Sequence, residues 1–77
     1  MWICVSCIER NMLIISKSDK KETVQADMYN DMCEALDGES NLLTLIDDGE
    51  AEIVDDGEYF GWANYRGLNY DWKCFEI

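Results

Sequence analysis

Four cysteines are the residues of this chain best suited to metal or redox chemistry: Cys4, Cys7, Cys33 and Cys74. Cys4 and Cys7 form a C-x-x-C, and with Cys33 and Cys74 they have the number and type of ligands of a tetrahedral zinc centre. The run around the first pair reads as a strand, where positions three apart point to opposite faces. Sharing a metal would need a turn at Val5-Ser6, and neither Gly nor Pro favours one there. A thioredoxin-like C-x-x-C opens a helix after a strand, which this one does not. Disulfides need an oxidising compartment, and no export signal is read at the start of the chain. Buried free thiols are the plainer reading. The other chemistry-bearing pattern is Asp-Asp-Gly-Glu, which occurs at 47–50 and again at 55–58. Neither copy has the alternating acids, sixth-position Gly and twelfth-position Glu of a calcium loop. The eight-residue period also misses the Gly-rich nine-residue calcium repeat. Without His, a nucleophile elbow or a phosphate loop, the expectation is a protein that is not an enzyme and needs no cofactor.

What the acids do offer is charge. Residues 22–58 hold thirteen Asp and Glu and no Lys or Arg, a formal charge of −13. Residues 1–21 sum to +2 and residues 59–77 to zero, which accounts for the net −11. Solubility needs a modest excess of either sign with both interspersed, whereas one sign concentrated in one region makes a directed field. That field attracts a basic partner and repels nucleic acid. It also repels itself, so added salt is expected to stabilise the fold by screening over roughly 8 Å.

The elements that must carry these residues fit one small domain spanning 1–77. With 48 % apolar residues, nine aromatics and no Pro, the composition is that of a folded chain. Strand-like runs at 2–8 and 12–16 around Arg10-Asn11 predict a hairpin. Asp19 and Glu22 have capping-box spacing and Gly38 is a natural stop, which predicts a helix over 20–37. On it Val24, Met28, Met32 and Leu36 share one face with Tyr29, Cys33 and Ala35, while Asp27, Asp31 and Glu34 fall in one narrow arc opposite. Strand signals at 41–46, 50–54, 58–65 and 68–76 then alternate with Asp48-Gly49, Asp56-Gly57 and Arg66-Gly67 turns. The predicted fold is α+β, in the order ββαββββ, with one amphipathic helix across an antiparallel sheet. Phe60, Trp62, Tyr70 and Trp72 are expected in the core. Tyr59 and Tyr65, of opposite parity to Phe60 and Trp62, would then face outward, where Tyr beside acids suits an Arg-rich partner, and for these tyrosines the sequence leaves burial and binding open.

Carboxylates on neighbouring helix turns lie about 5–6 Å apart and on alternate strand positions about 6–7 Å apart, steps similar to those between phosphates. Like phosphate, a carboxylate accepts bidentate Arg bonds. The expected partner-binding set is therefore Asp27, Asp31 and Glu34 on the helix, with Asp47, Asp48, Glu50, Glu52, Asp55, Asp56 and Glu58 on turns and strands. In size and in the distribution of charge over 22–58, the chain resembles the small acidic DNA-mimic inhibitors that viruses direct against host restriction and CRISPR systems. The resemblance implies a stoichiometric inhibitor acting in the host cytoplasm on a basic nucleic-acid-binding protein, such as a nuclease or CRISPR effector. It transfers no individual site residue. Direct binding to nucleic acid or membrane is not expected, and the chain is read as a monomer or homodimer. Two alternatives stand beside it: a small zinc-binding structural module built on the cysteines, and an immunity protein or antitoxin for a basic toxin.

Overall fold

The computed structural model describes residues 1–77 and has the element order β1 (Trp2–Ile8), β2 (Asn11–Ser18), α1 (Lys21–Ala35), α2 (Glu39–Asp47), β3 (Ala51–Asp55), β4 (Tyr59–Tyr65) and β5 (Leu68–Glu76). The five strands form one antiparallel sheet in the order β2-β1-β5-β4-β3, so the last strand is central and β2 and β3 are the edges. Both helices lie on one face, α1 over β2, β1 and β5 and α2 against β3. The class is α+β. The order is ββααβββ, with two helices where one was expected.

The difference lies at 41–46, expected as a strand and found inside α2. Leu42 is buried, and Leu45 and Ile46 follow it at the three- and four-residue spacing of a helix, but six residues are too few for periodicity to decide. The Asp48-Gly49 reversal therefore does not join two strands. It ends α2: Gly49 (φ 76°) donates to Ile46 O and Glu50 donates to Leu45 O, a Schellman pair. At the end of α1 the same motif has Asp37 in the left-handed position (φ 66°), with bonds from Asp37 N to Glu34 O and from Gly38 N to Cys33 O. Gly38 opens α2 instead, its carbonyl accepting from Leu42 N. The expected capping box at Asp19 and Glu22 is absent. Lys20 is the N-cap without a side-chain bond, and its N–H goes to Ser18 Oγ at 3.1 Å.

Val24, Met28, Met32 and Leu36 are fully buried, at the i, i+4 spacing that keeps one stripe against the sheet. Burying four such side chains contributes on the order of 6–12 kcal/mol, the size of a whole domain's net stability. Cys4, Trp72, Cys74, Ala51 and Ala63 complete the core beneath them. Gly61 makes the seat for Met32: a Cβ there would lie 2.9 Å from Met32 Sδ and Cε and 3.3 Å from the Glu52 carbonyl. Because Gly61 faces the helices, so do Tyr59, Ala63 and Tyr65, and the pleat turns Phe60 and Trp62 to the open face. This corrects the expected aromatic parity. Trp72 is in the core as expected and Tyr70 stacks on it at 5.8 Å, but Phe60 and Trp62 are half-buried on the other side of the sheet.

On that open face Ile14, Val5, Lys73, Phe60 and Val54 form one row across the five strands, and Met12, Cys7, Asp71, Trp62 and Glu52 form the next. Arg66-Gly67 joins β4 to β5 with φ of 52° and 77°, the double left-handed geometry of a two-residue type I′ turn. A β-bulge sets Ile15 as the extra residue of β2, between the pairs Cys4–Ser16 and Val5–Ile14.

Gly61→Ala is predicted to lower stability by about 1–3 kcal/mol in urea or thermal unfolding, because Met32 is fully enclosed and cannot retreat. In a Met32→Ala background, where the obstructing thioether is gone, Gly61→Ala should cost less than in the wild type, and a neutral Gly61→Ala would show that the seat is not tight.

Candidate functional site

The carboxylates separate into two groups. Asp47 closes the last turn of α2, Asp48 caps it, and Glu50 leads into β3. Glu52 lies mid-strand on the open face, Asp55 ends the strand, and Asp56 and Glu58 form the turn into β4. These seven are all exposed, along β3 and the turns at its two ends, with Glu52 on the open face and Asp55, paired with Tyr59, on the helix face. From Glu50 to Asp56 the backbone advances roughly 20 Å and carries four carboxylates, Glu50, Glu52, Asp55 and Asp56, about one per 5 Å, sparser than the 3.4 Å per charge of a single DNA strand.

Asp27, Asp31 and Glu34 share an arc of α1 as expected, but the arc flanks the buried stripe instead of opposing it. Asp27 accepts a hydrogen bond from Ser16 Oγ of β2. Asp31 is half-buried and accepts from Trp72 Nε1 at 2.8 Å, satisfying the one polar atom of the largest core side chain. Only Glu34 of the three is fully exposed and without a hydrogen-bond partner. Since α1 packs over β2, β1 and β5, this group is apart from the β3 ridge. Two of its members are internal acceptors, which sequence spacing did not reveal.

No ion pair neutralises the ridge. Neither of the elements flanking β3, α2 and β4, contains Lys or Arg. The one ion pair of the molecule is elsewhere, Arg66 Nη2 to Asp37 Oδ2 at 3.2 Å, with both groups largely exposed. The helix dipole does not hold these acids in place either: Asp47 and Asp48 meet the negative end of α2, and Glu34 and Asp37 the negative end of α1. Each such placement costs roughly 0.3–1 kcal/mol at low salt.

Tyrosines interact with the acids from inside the molecule. Tyr29 donates to Glu39 Oε2 at 2.7 Å, and Tyr65 donates to Asp37 Oδ2 at 2.6 Å while Arg66 lies 5.2 Å from its ring. The hydrogen bond to Glu39 pushes the Tyr29 hydroxyl up to about 12. Tyr65 is raised by its bond to Asp37, and Tyr59 by burial. Tyr59 and Tyr65 thus serve the helix side of the sheet, not an outward anchor for an Arg-rich partner.

The cysteines do not converge. Cys4 and Cys74 are opposed on β1 and β5 under α1, while Cys7 is on the open face. Cys33 lies on α1, beside Tyr29 and Glu39. No three His, Cys, Asp or Glu side chains are grouped to hold a metal ion, so the alternative four-thiolate arrangement is not assembled. Cys74 Sγ donates to the Val24 carbonyl at 3.6 Å. Its hydrogen bond with Cys4, followed by burial, raises the Cys4 thiol far above its ordinary range. The surface has no ligand-sized concavity, and no helix is long and apolar enough to cross a membrane.

Three measurements check this arrangement. Asp31→Leu, which orphans the buried Trp72 N–H, should cost about 1–3 kcal/mol, whereas Asp31→Asn keeps an acceptor and should stay within about 0.5 kcal/mol. Cys4 and Cys74, at 0 and 3 % exposure, should resist alkylation until denaturant is added. Tyr29, Tyr59 and Tyr65 hold their protons more tightly folded than unfolded, so their contribution is intact below about pH 10 and falls as pH rises toward 12. Ultraviolet titration of the native protein should show late-ionising tyrosines that Tyr29→Phe reduces by one. No protein-family model, curated protein or solved structure matches the chain.

Proposed function

We propose that this chain is a stoichiometric protein inhibitor whose β3 ridge takes the place of a nucleic-acid strand on a basic protein. The observation that carries the reading is seven exposed carboxylates along an edge strand and the turns at its ends, whose flanking elements contain no cation. Local turn chemistry accounts for Asp48 and Asp56 beside their glycines. It does not account for Asp47, Glu50, Glu52, Asp55 or Glu58, nor for acids set against a helix dipole that destabilises them. A binding role does: Lys and Arg placed to meet phosphates find carboxylate acceptors of the same charge sign and bidentate geometry and gain affinity by the same charge neutralisation. The target class is a nucleic-acid-binding enzyme, for example a restriction or CRISPR nuclease, and the compartment is the cytoplasm in which that enzyme works. Asp27 and Asp31 serve the fold first, and the ridge residues are the partner-binding set, with Glu34 subsidiary to them.

Capture from a candidate host lysate at low and high salt, followed by titration of the captured protein, tests this. Binding should be 1:1 per site, weaken steeply with salt, and be displaced by duplex DNA or RNA. Glu50→Gln, Glu52→Gln and Asp55→Asn together should weaken it by at least about tenfold and lower the slope against log salt by about two to three. A partner that binds the triple variant equally well, or binds the inhibitor and nucleic acid at once, would defeat the mimicry.

A further inference from the structure

Met12, Leu13 and Ile14 are consecutive, apolar and exposed at 68, 62 and 58 %. They lie on β2, whose outer edge has no paired strand. Met12 and Ile14 belong to the open face and Leu13 to the helix face, so covering either face of the sheet leaves part of this run in water. A strand laid along the edge contacts all three, because cross-strand neighbours meet on both faces at once. Edges are normally blunted by charge, Pro or a bulge. Here Lys17 and the bulge at Ile15 blunt only the C-terminal half of β2, leaving its N-terminal half open as a template.

We propose that this edge pairs antiparallel with the β2 edge of a second copy of the chain, about a two-fold axis at Leu13, joining two sheets into one of ten strands. In that register Leu13 meets its own symmetry mate and Met12 meets Ile14 of the other copy, so the contacts of the exposed run are apolar and reciprocal. Charge excludes a basic occupant. Residues 1–21, which contain β2 and its flanks, sum to +2, the only stretch where the excess is positive. A basic target is drawn to the β3 ridge and not to an edge flanked by Lys17, Lys20 and Lys21. The two edges are four strand spacings apart, about 19 Å, which exceeds the screening length of about 8 Å. Pairing through β2 holds the two ridges at the far ends of the joined sheet, whereas pairing through β3 would set seven carboxylates against seven.

This dimer does not depend on the decoy reading, and the two respond to salt with opposite signs. Copies of net charge −11 repel, so self-association tightens as salt rises, while the complex with a basic target loosens. Sedimentation of the full chain from about 5 µM to about 1 mM should show a monomer–dimer equilibrium, which Leu13→Lys weakens by at least about tenfold by opposing two ammonium groups on the axis. In a Cys7→Ser, Cys33→Ser background, Leu13→Cys should form an intersubunit disulfide with diamide as the two-electron oxidant. Directly opposed residues of an antiparallel pair have Cα atoms about 4.5–5.5 Å apart, within disulfide reach. Leu43→Cys on α2, at a position 52 % exposed, is the control that should not cross-link. A monomer over the whole range, a dimer indifferent to Leu13→Lys, or equal cross-linking of the two cysteine variants would each overturn the proposal.

Discussion

Met32 fills the space that any side chain at position 61 would occupy, and much of the molecule is arranged around that contact. It brings α1 close to the centre of the sheet, so that Val24, Met28 and Leu36 seal over Cys4, Trp72 and Cys74. It also commits Gly61 to the helix side, and the pleat then decides every other residue of β4. Tyr59, Ala63 and Tyr65 go toward the helices, where the Tyr65 hydroxyl reaches Asp37. Phe60 and Trp62 go to the open face. With only 13 of 77 residues buried, the core is too small to tolerate a second arrangement of these aromatics.

The sheet also organises the charge. Its edges differ in character, β3 acidic and β2 apolar with basic flanks, and three strands stand between them. Carboxylates near α1 have been drawn into the fold as acceptors for Ser16 and Trp72. Those at 47–58 have no such employment, and two of them, Asp47 and Asp48, are set against the negative end of α2. Structure therefore divides one acidic segment into a part that stabilises and a part that costs stability, and the costly part is the one on the surface. The apolar β2 edge and the acidic β3 edge are compatible as two contact surfaces because they are too far apart for one to disturb the other.

Legibility followed the length and regularity of each pattern. The buried stripe of α1 spans four turns and was read residue by residue. Strands β1 and β5 were placed at their observed bounds, because β-branched and aromatic enrichment marked the first and strict alternation the second. The run at 41–46 was misread, since apolar residues at consecutive and at three- and four-residue spacing satisfy both periods when the segment is short. The near-repeat at 47–50 and 55–58 misled in the same way: identical tetrapeptides form a helix end in one case and a hairpin turn in the other. Gly38 drew the stop of α1 one residue too late, because Asp37 accepts the left-handed conformation that glycine would have taken.

The amino-acid sequence alone determined that thirteen acids occur without a base among them, that four core residues of α1 share a face, and that the termini supply strands. Charge and period are local properties, carried by residue type and spacing. Only the tertiary structure decided what each acid does. Asp31 is an acceptor because Trp72, 41 positions away, presents an N–H to it, and Glu52 is part of a ridge because β3 lies at an edge. The parity of β4 suits one missing Cβ beneath a methionine thioether, a contact between segments that nothing in either one announces.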